Sequence, residues 1–182
     1  MEIMRLVVTG PVGAGKSTFI RSISEIEVVD TDQAATDETA QLKERTTVAF
    51  DFGRLQFGPE MALHLYGTPG QVRFDFMWDI LIKQAHAYIV LVAADRPMEF
   101  LQARRIMTFM RKRRTIPMII GLTHVDCDRA WKPENVAIVL GYPNPETRPP
   151  IIQVNANETA SVARAVLSLV RYSFQNKAAS HS

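Results

Sequence analysis

The sequence holds a single cysteine, Cys127, among 182 residues. One thiol excludes an internal disulfide framework and a cysteine-rich zinc site, and it fits a reducing compartment. Long apolar runs are missing as well. The longest, residues 87–94, stops at Asp95, far short of the roughly 20 residues that span a bilayer. Only a short apolar run separates Arg5 from Gly10, which is too little for a secretory leader. No cysteine near the C-terminus offers a prenylation site and no glycine at position 2 offers a myristoylation site. A cytoplasmic protein is expected, with any contact at the inner membrane peripheral and made through a partner. Excess charge of one sign is also missing. The 21 Lys and Arg against 19 Asp and Glu give a net charge of +2, so nucleic acid is not an expected partner. No pair among the 4 histidines has metal-ligand spacing. His64 and His86 lie in or beside apolar segments and read as structural, and Trp78 and Trp131 read as packing residues.

What is present is an ordinary globular mixture, 47% hydrophobic and 22% charged. One domain over residues 1–175 is expected, with a flexible tail over 176–182. Apolar runs alternate with helical periods. Strands are predicted at 3–8, 46–57, 61–66, 87–94, 118–122 and 151–154, the second and third forming a hairpin around Gly58 and Pro59. Helices are predicted at 16–24, 72–85, 98–114 and 159–174, about five in all. Residues 25–45 carry seven acidic side chains without a period and read as a long loop. The alternation predicts an α/β fold, a six-stranded, mostly parallel sheet with helices on both faces. Ligands of such sheets sit beyond the carboxyl ends of the strands. Those ends carry Gly10–Lys16, Gly67–Gln71, Asp95, Thr123–Cys127 and Asn155–Asn157.

One of these loops has a definite chemistry. GPVGAGKST, from Gly10 to Thr18, matches the phosphate-loop pattern G-x-x-x-x-G-K-[ST] without a mismatch, between an apolar strand and a helix. Its glycines, Gly10, Gly13 and Gly15, and Ala14 let backbone N–H groups turn onto phosphate oxygens. The helix N-terminus points at the same anion. Lys16 adds a point charge, Ser17 offers a hydroxyl to Mg²⁺, and Thr18 completes the motif. Nucleoside di- or triphosphate binding is expected.

The later loops narrow the choice. TVAFDF (47–52), LYGTPGQVRF (65–74), THVD (123–126) and Asn155-Ala156-Asn157 follow in the order and places of the switch and base-recognition motifs of Ras-like small GTPases. The chain resembles that family over nearly its whole length. The GTPGQ form is similar to its bacterial branch, which includes the gliding-motility GTPase MglA and relatives of the signal-recognition-particle receptor β subunit. The resemblance implies a P-loop G domain that binds GDP and GTP with Mg²⁺, switches between two states and hydrolyses GTP slowly. It implies Ser17 and Thr47 on the metal, with Lys16, Gly70 and Gln71 acting on the γ-phosphate and the attacking water. It implies that Thr123, His124, Asp126, Asn155, Ala156 and Asn157 form the base pocket, with Asp126 accepting from guanine.

The chain also departs from the family. Gly67 stands where members carry a metal-binding aspartate, leaving Asp51 and Asp95 as candidate substitutes. Thr123 and His124 replace an asparagine and a lysine. Val12 fills a position that is glycine in Ras. Arg45 and Arg73 flank the switches as candidate activating arginines.

Two surfaces invite partners. Phe74, Met77, Trp78 and Leu81 share one face of the 72–85 helix, while Phe76 and Ile80 project oppositely. The family resemblance makes a Roadblock/LC7-type or other regulatory protein the expected occupant. Arg104, Arg105, Arg111 and Lys112 share a helical face that suits a solvated surface, an anionic membrane or an acidic partner. Two rival functions stay open: a non-hydrolysing nucleotide-dependent binding module, favoured by Gly67 and Val12, and a P-loop nucleotide kinase.

Overall fold

A computed structural model describes residues 1–26, 28–30 and 50–179. The central run of apolar strands decides the architecture. In β1 (Glu2–Thr9), Val7 packs to one side of the sheet while Leu6 and Val8 pack to the other. In β5 (Ala87–Ala93) every residue is buried, with Tyr88, Val90 and Val92 on the first side and Ala87, Ile89 and Leu91 on the second. A strand apolar at both parities needs a cover on both faces. That cover comes from α1 (Lys16–Ile23) and α5 (Thr159–Ala179) on one side. On the other side lie α2 (Asp75–Gln84), α3 (Phe100–Arg113) and α4 (Pro133–Val139).

The remaining strands are β2 (Val29–Asp30), β3 (Asp51–Phe57), β4 (Met61–Gly67), β6 (Met118–Thr123) and β7 (Ile151–Gln153). The sheet order is β2-β3-β4-β1-β5-β6-β7. β4, β1, β5, β6 and β7 are mutually parallel, whereas β3 is antiparallel to β4 and β2 to β3. The expected G-domain-like sheet is therefore present, and the two-residue β2 extends it to seven strands. β1 lies between β4 and β5, so the chain leaves it in opposite directions on its two sides. That is where a crevice opens at the carboxyl edge of such a sheet.

Several boundaries differ from the sequence reading. The 46–57 strand starts at Asp51, and residues 46–49 lie outside the described residues. The 72–85 helix divides into a 3-10 turn, Val72–Phe74, and α2. The 98–114 helix likewise begins with a 3-10 turn at Pro97–Glu99. α5 runs to Ala179 rather than stopping at Phe174, with the Asn176 side chain donating to the Tyr172 carbonyl at 3.1 Å. The sequence reading placed no helix at α4, which is only 7 residues long and starts at Pro133, where a missing N–H costs nothing.

Candidate nucleotide site

The site is built at the carboxyl edge, around the turn between β1 and α1. Gly13 and Gly15 have φ values of 78° and 100°, a left-handed backbone that only glycine adopts without strain. This fold of the loop brings Gly13, Gly15, Lys16, Ser17 and Thr18 to one wall of a cavity of about 340 Å³. His124, Ala156 and Asn157 form the other wall. Two loops far apart in sequence thus meet the phosphate loop.

Inside the loop, the Lys16 ammonium donates to the carbonyls of Gly10 at 2.8 Å and Pro11 at 2.7 Å. Burial pushes its pKa down to about 8, against an opposing pull from Asp51. The Ser17 hydroxyl donates to Asp51 Oδ2. Asp51 opens β3, directly opposite Gly67 at the end of β4. A Cβ on Gly67 would fall 2.9 Å from Ile20 Cδ1 and 3.4 Å from Asp51 Oδ2. The Asp51 carboxylate therefore lies beside position 67, where family members carry an acid. Of the two candidate substitutes, Asp51 is the one beside Ser17. Asp95 instead buries Oδ1 with no hydrogen-bond partner among the described residues. Ser17 and Asp51 together offer the hard oxygen donors that Mg²⁺ takes. Thr47, the other predicted metal ligand, lies outside the described residues, as does Arg45.

The base-recognition loops divide their labour. Thr123 is buried, and its hydroxyl donates to the Ala14 carbonyl at 2.8 Å. It braces one loop against the other. His124 takes a left-handed φ of 56° and stands 3.1 Å from the Thr123 hydroxyl through Nδ1. Asp126 is exposed on the same loop. Asn155 accepts from the Asn157 amide through Oδ1 at 3.1 Å, a turn that presents Ala156 and Asn157 to the cavity. The Ser22 hydroxyl fixes the Ala156 carbonyl from behind.

The segment after β4 lies against the phosphate loop from a different side. A Cβ on Gly70 would fall 2.5 Å from the Val12 nitrogen. The Trp78 indole N–H holds this segment through the Pro69 carbonyl at 2.6 Å. Gln71 follows, exposed. Arg73 is stacked over Phe74, its guanidinium 4.6 Å from the ring centroid.

The expected partner faces are reduced. Phe76 is exposed, but Ile80 is half-buried against the core. Among the basic residues, Arg111 lies over Tyr142 and Arg104 reaches the Val139 carbonyl at 3.5 Å, so the four cations do not form one unengaged face.

One residue that the sequence reading did not single out also belongs here. Arg96, just beyond β5, lays its guanidinium against Gly13. An ideal Cβ on Gly13 would fall 2.3 Å from Nη1 and 3.5 Å from Cζ.

Comparison with known proteins agrees with this fold. A family model described as a conserved hypothetical ATP-binding protein matches residues 26–171, most of the chain but not the phosphate loop itself. Among curated proteins, an uncharacterized protein of Methanocaldococcus jannaschii, MJ1339, is 27% identical over 94 residues. The match covers 51% of this chain and 53% of that protein, about half the length of each. Among solved structures, the Arl6 BBS3 small GTPase from Trypanosoma brucei, with bound GppNp, superposes with a TM-score of 0.71 at 16% identity, covering 95% of this chain and 98% of that one. The bacterial selenocysteine-specific elongation factor EF-Sec superposes at 0.65 with 19% identity, over 97% of this chain and 29% of that one. At these identities the likeness is one of fold.

Proposed function

This chain belongs to the family of conserved hypothetical ATP-binding proteins, and from that premise we propose that it is a guanine-nucleotide switch of the small-GTPase type. Nucleotide binding is the family's property and the phosphate loop is its means. The switch reading rests above all on Gly70, whose backbone lies against Val12 of the phosphate loop while Trp78 tethers the segment before it. A segment seated there meets a γ-phosphate directly and loses that contact when the phosphate leaves.

The residues divide the work as follows. The loop amides and Lys16 hold the phosphates. Ser17 and Asp51 would hold Mg²⁺, which when bound would neutralise phosphate charge. Gln71 orients a water for in-line attack on the γ-phosphorus. The new P–O bond forms as the bond to the bridging oxygen breaks, and nucleoside diphosphate leaves. Positioning and charge supply the acceleration, so intrinsic turnover is slow. A regulatory partner, of the Roadblock/LC7 type in the bacterial branch, docks near the exposed Phe76.

A second reading, an adenine-nucleotide protein, has two observations behind it: the family's description, and the withdrawal of Thr123 into the loop contact. Titration with fluorescent guanine and adenine diphosphates, with and without Mg²⁺, separates the two. Guanine preference is expected, through the exposed Asp126 carboxylate; equal or reversed affinity moves the protein to the second reading. Single-turnover hydrolysis tests the chemistry, since Gln71→Leu is expected to lose most of the rate. Turnover as fast as the parent's sinks the assigned role.

A further inference from the structure

The phosphate loop has a neighbour that its motif does not include. Arg96 follows β5, and its backbone is fixed from both sides. Its amide donates to the Ala93 carbonyl at 3.1 Å, and its own carbonyl accepts from the Glu99 amide at 3.0 Å. Pro97 restricts the preceding residue to extended backbone, and Arg96 has φ −122° and ψ 71°. Phe100, three residues beyond Pro97, is fully buried and ties the turn to the core.

The side chain of this anchored residue runs back to the phosphate loop. Nη1, Cζ and Nη2 lie 2.3, 3.5 and 3.9 Å from where a Cβ on Gly13 would stand. Gly13 is also a wall of the nucleotide cavity. The guanidinium is thus packed against a residue of the cavity wall, in space that exists only because position 13 has no side chain. Among the described residues, no hydrogen bond or ion pair engages that guanidinium, and Arg96 is exposed. Its charge stands beside the phosphate loop, with no carboxylate paired to it among the described residues.

We propose that Arg96 is a second phosphate-binding cation of this site, closing over the loop from the solvent side and holding bound nucleotide in place. The inference rests on the nucleotide-binding reading above and names a residue that reading does not use. A planar guanidinium offers paired N–H donors that match phosphate oxygens. Lys16 meets the phosphates from the buried side of the loop, whereas Arg96 meets them from the open side. Position also separates this role from hydrolysis. Gly70 approaches the loop at Pro11 and Val12, while Arg96 lies at Gly13. A cation on the Gly13 side of the loop is assigned to holding the nucleotide against exit.

The experiment is stopped-flow release of mant-GDP and mant-ADP from the full chain, chased with unlabelled nucleotide, for the parent and for Arg96→Ala, Arg96→Lys and Arg96→Glu. Melting curves check that each variant folds, as its exposed position leads us to expect. Removing one charged hydrogen-bonding group is expected to speed release about tenfold in Arg96→Ala. Arg96→Glu should release faster still, and Arg96→Lys should fall between Ala and the parent. Added salt should speed release from the parent more than from Arg96→Ala. Single-turnover hydrolysis of the same variants separates an effect on nucleotide release from one on the chemical step. Parent-like release from both Arg96→Ala and Arg96→Glu overturns this inference alone. Unchanged release with hydrolysis lost overturns it in favour of a catalytic arginine. A parent that retains neither nucleotide overturns the nucleotide-binding reading together with this one.

Discussion

Lys16 carries its ammonium where burial drives the pKa down to about 8, although Asp51 works against the shift. A phosphate selects the charged form. Nucleotide affinity should therefore be flat below about pH 8 and weaken by up to about tenfold per unit above it. Titrations across pH 7 to 10 check this, and Lys16→Met should lose the dependence along with most of the affinity. The ligand-free fold should respond in the opposite sense. An unfolded lysine titrates at 10.5, so between about 8 and 10.5 the unfolded chain holds a proton that the folded chain has shed. Stability of the empty protein should rise with pH through that window. Asp51 makes a separate prediction. If it supplies the carboxylate missing at Gly67, Asp51→Asn should abolish most of the tightening of nucleotide binding by Mg²⁺, measured by calorimetry. Asp95→Asn should preserve that tightening.

At the scale of elements, the site depends on joints between loops that no single motif contains. Thr123 ends β6 and donates to the Ala14 carbonyl, so the base loop and the phosphate loop share a buried bond. Thr123→Val keeps the shape and removes the donor, leaving that carbonyl unpaired. The cost should be about 1–3 kcal/mol in denaturant unfolding, with Thr123→Ser retaining much of the stability. Nucleotide affinity should fall with it, because Gly15 and Ala156 meet at the same joint. The helices were legible to different degrees for a physical reason. α1, α3 and α5 carry apolar residues at helical spacing over two or more turns and were read directly. α4 has only Val136 and Ala137 buried within its span, too few positions to establish a period. The faces of α2 were legible as two apolar sets, but only packing revealed that Ile80 joins the core while Phe76 stays exposed.

Over the whole molecule, the edge of the sheet opposite the nucleotide is held by a polar exchange between β1 and the start of β5. The Arg5 amide donates to His86 Nδ1 at 2.8 Å, and the His86 amide donates to the Arg5 carbonyl at 2.8 Å. Burial lowers the His86 pKa, and Arg5, Lys177 and Arg114 add to the shift while Glu2 opposes it. A proton on Nδ1 would end its role as acceptor. An unfolded histidine titrates at 6.5, so below that value the unfolded chain takes up a proton that the folded chain resists. Stability should be full above pH 6.5 and decline as pH falls toward the depressed native value. Thermal melts at pH 7.5 and 5.5 should show the loss, and His86→Gln should flatten it.

The sequence by itself determined the phosphate loop, the order of the loops and the side of the sheet on which they gather. Those properties are local: a strand apolar at both parities, a glycine-bearing turn and a helix start are each written in consecutive residues. The tertiary structure alone decided which carboxylate lies beside Ser17, what Thr123 bonds and where Arg96 points. Each of these is a contact across strands or loops, between Asp51 and Gly67, Thr123 and Ala14, Arg96 and Gly13. Their separation along the chain carries no signal of their distance in space, which is set by sheet register and by the room a missing side chain leaves.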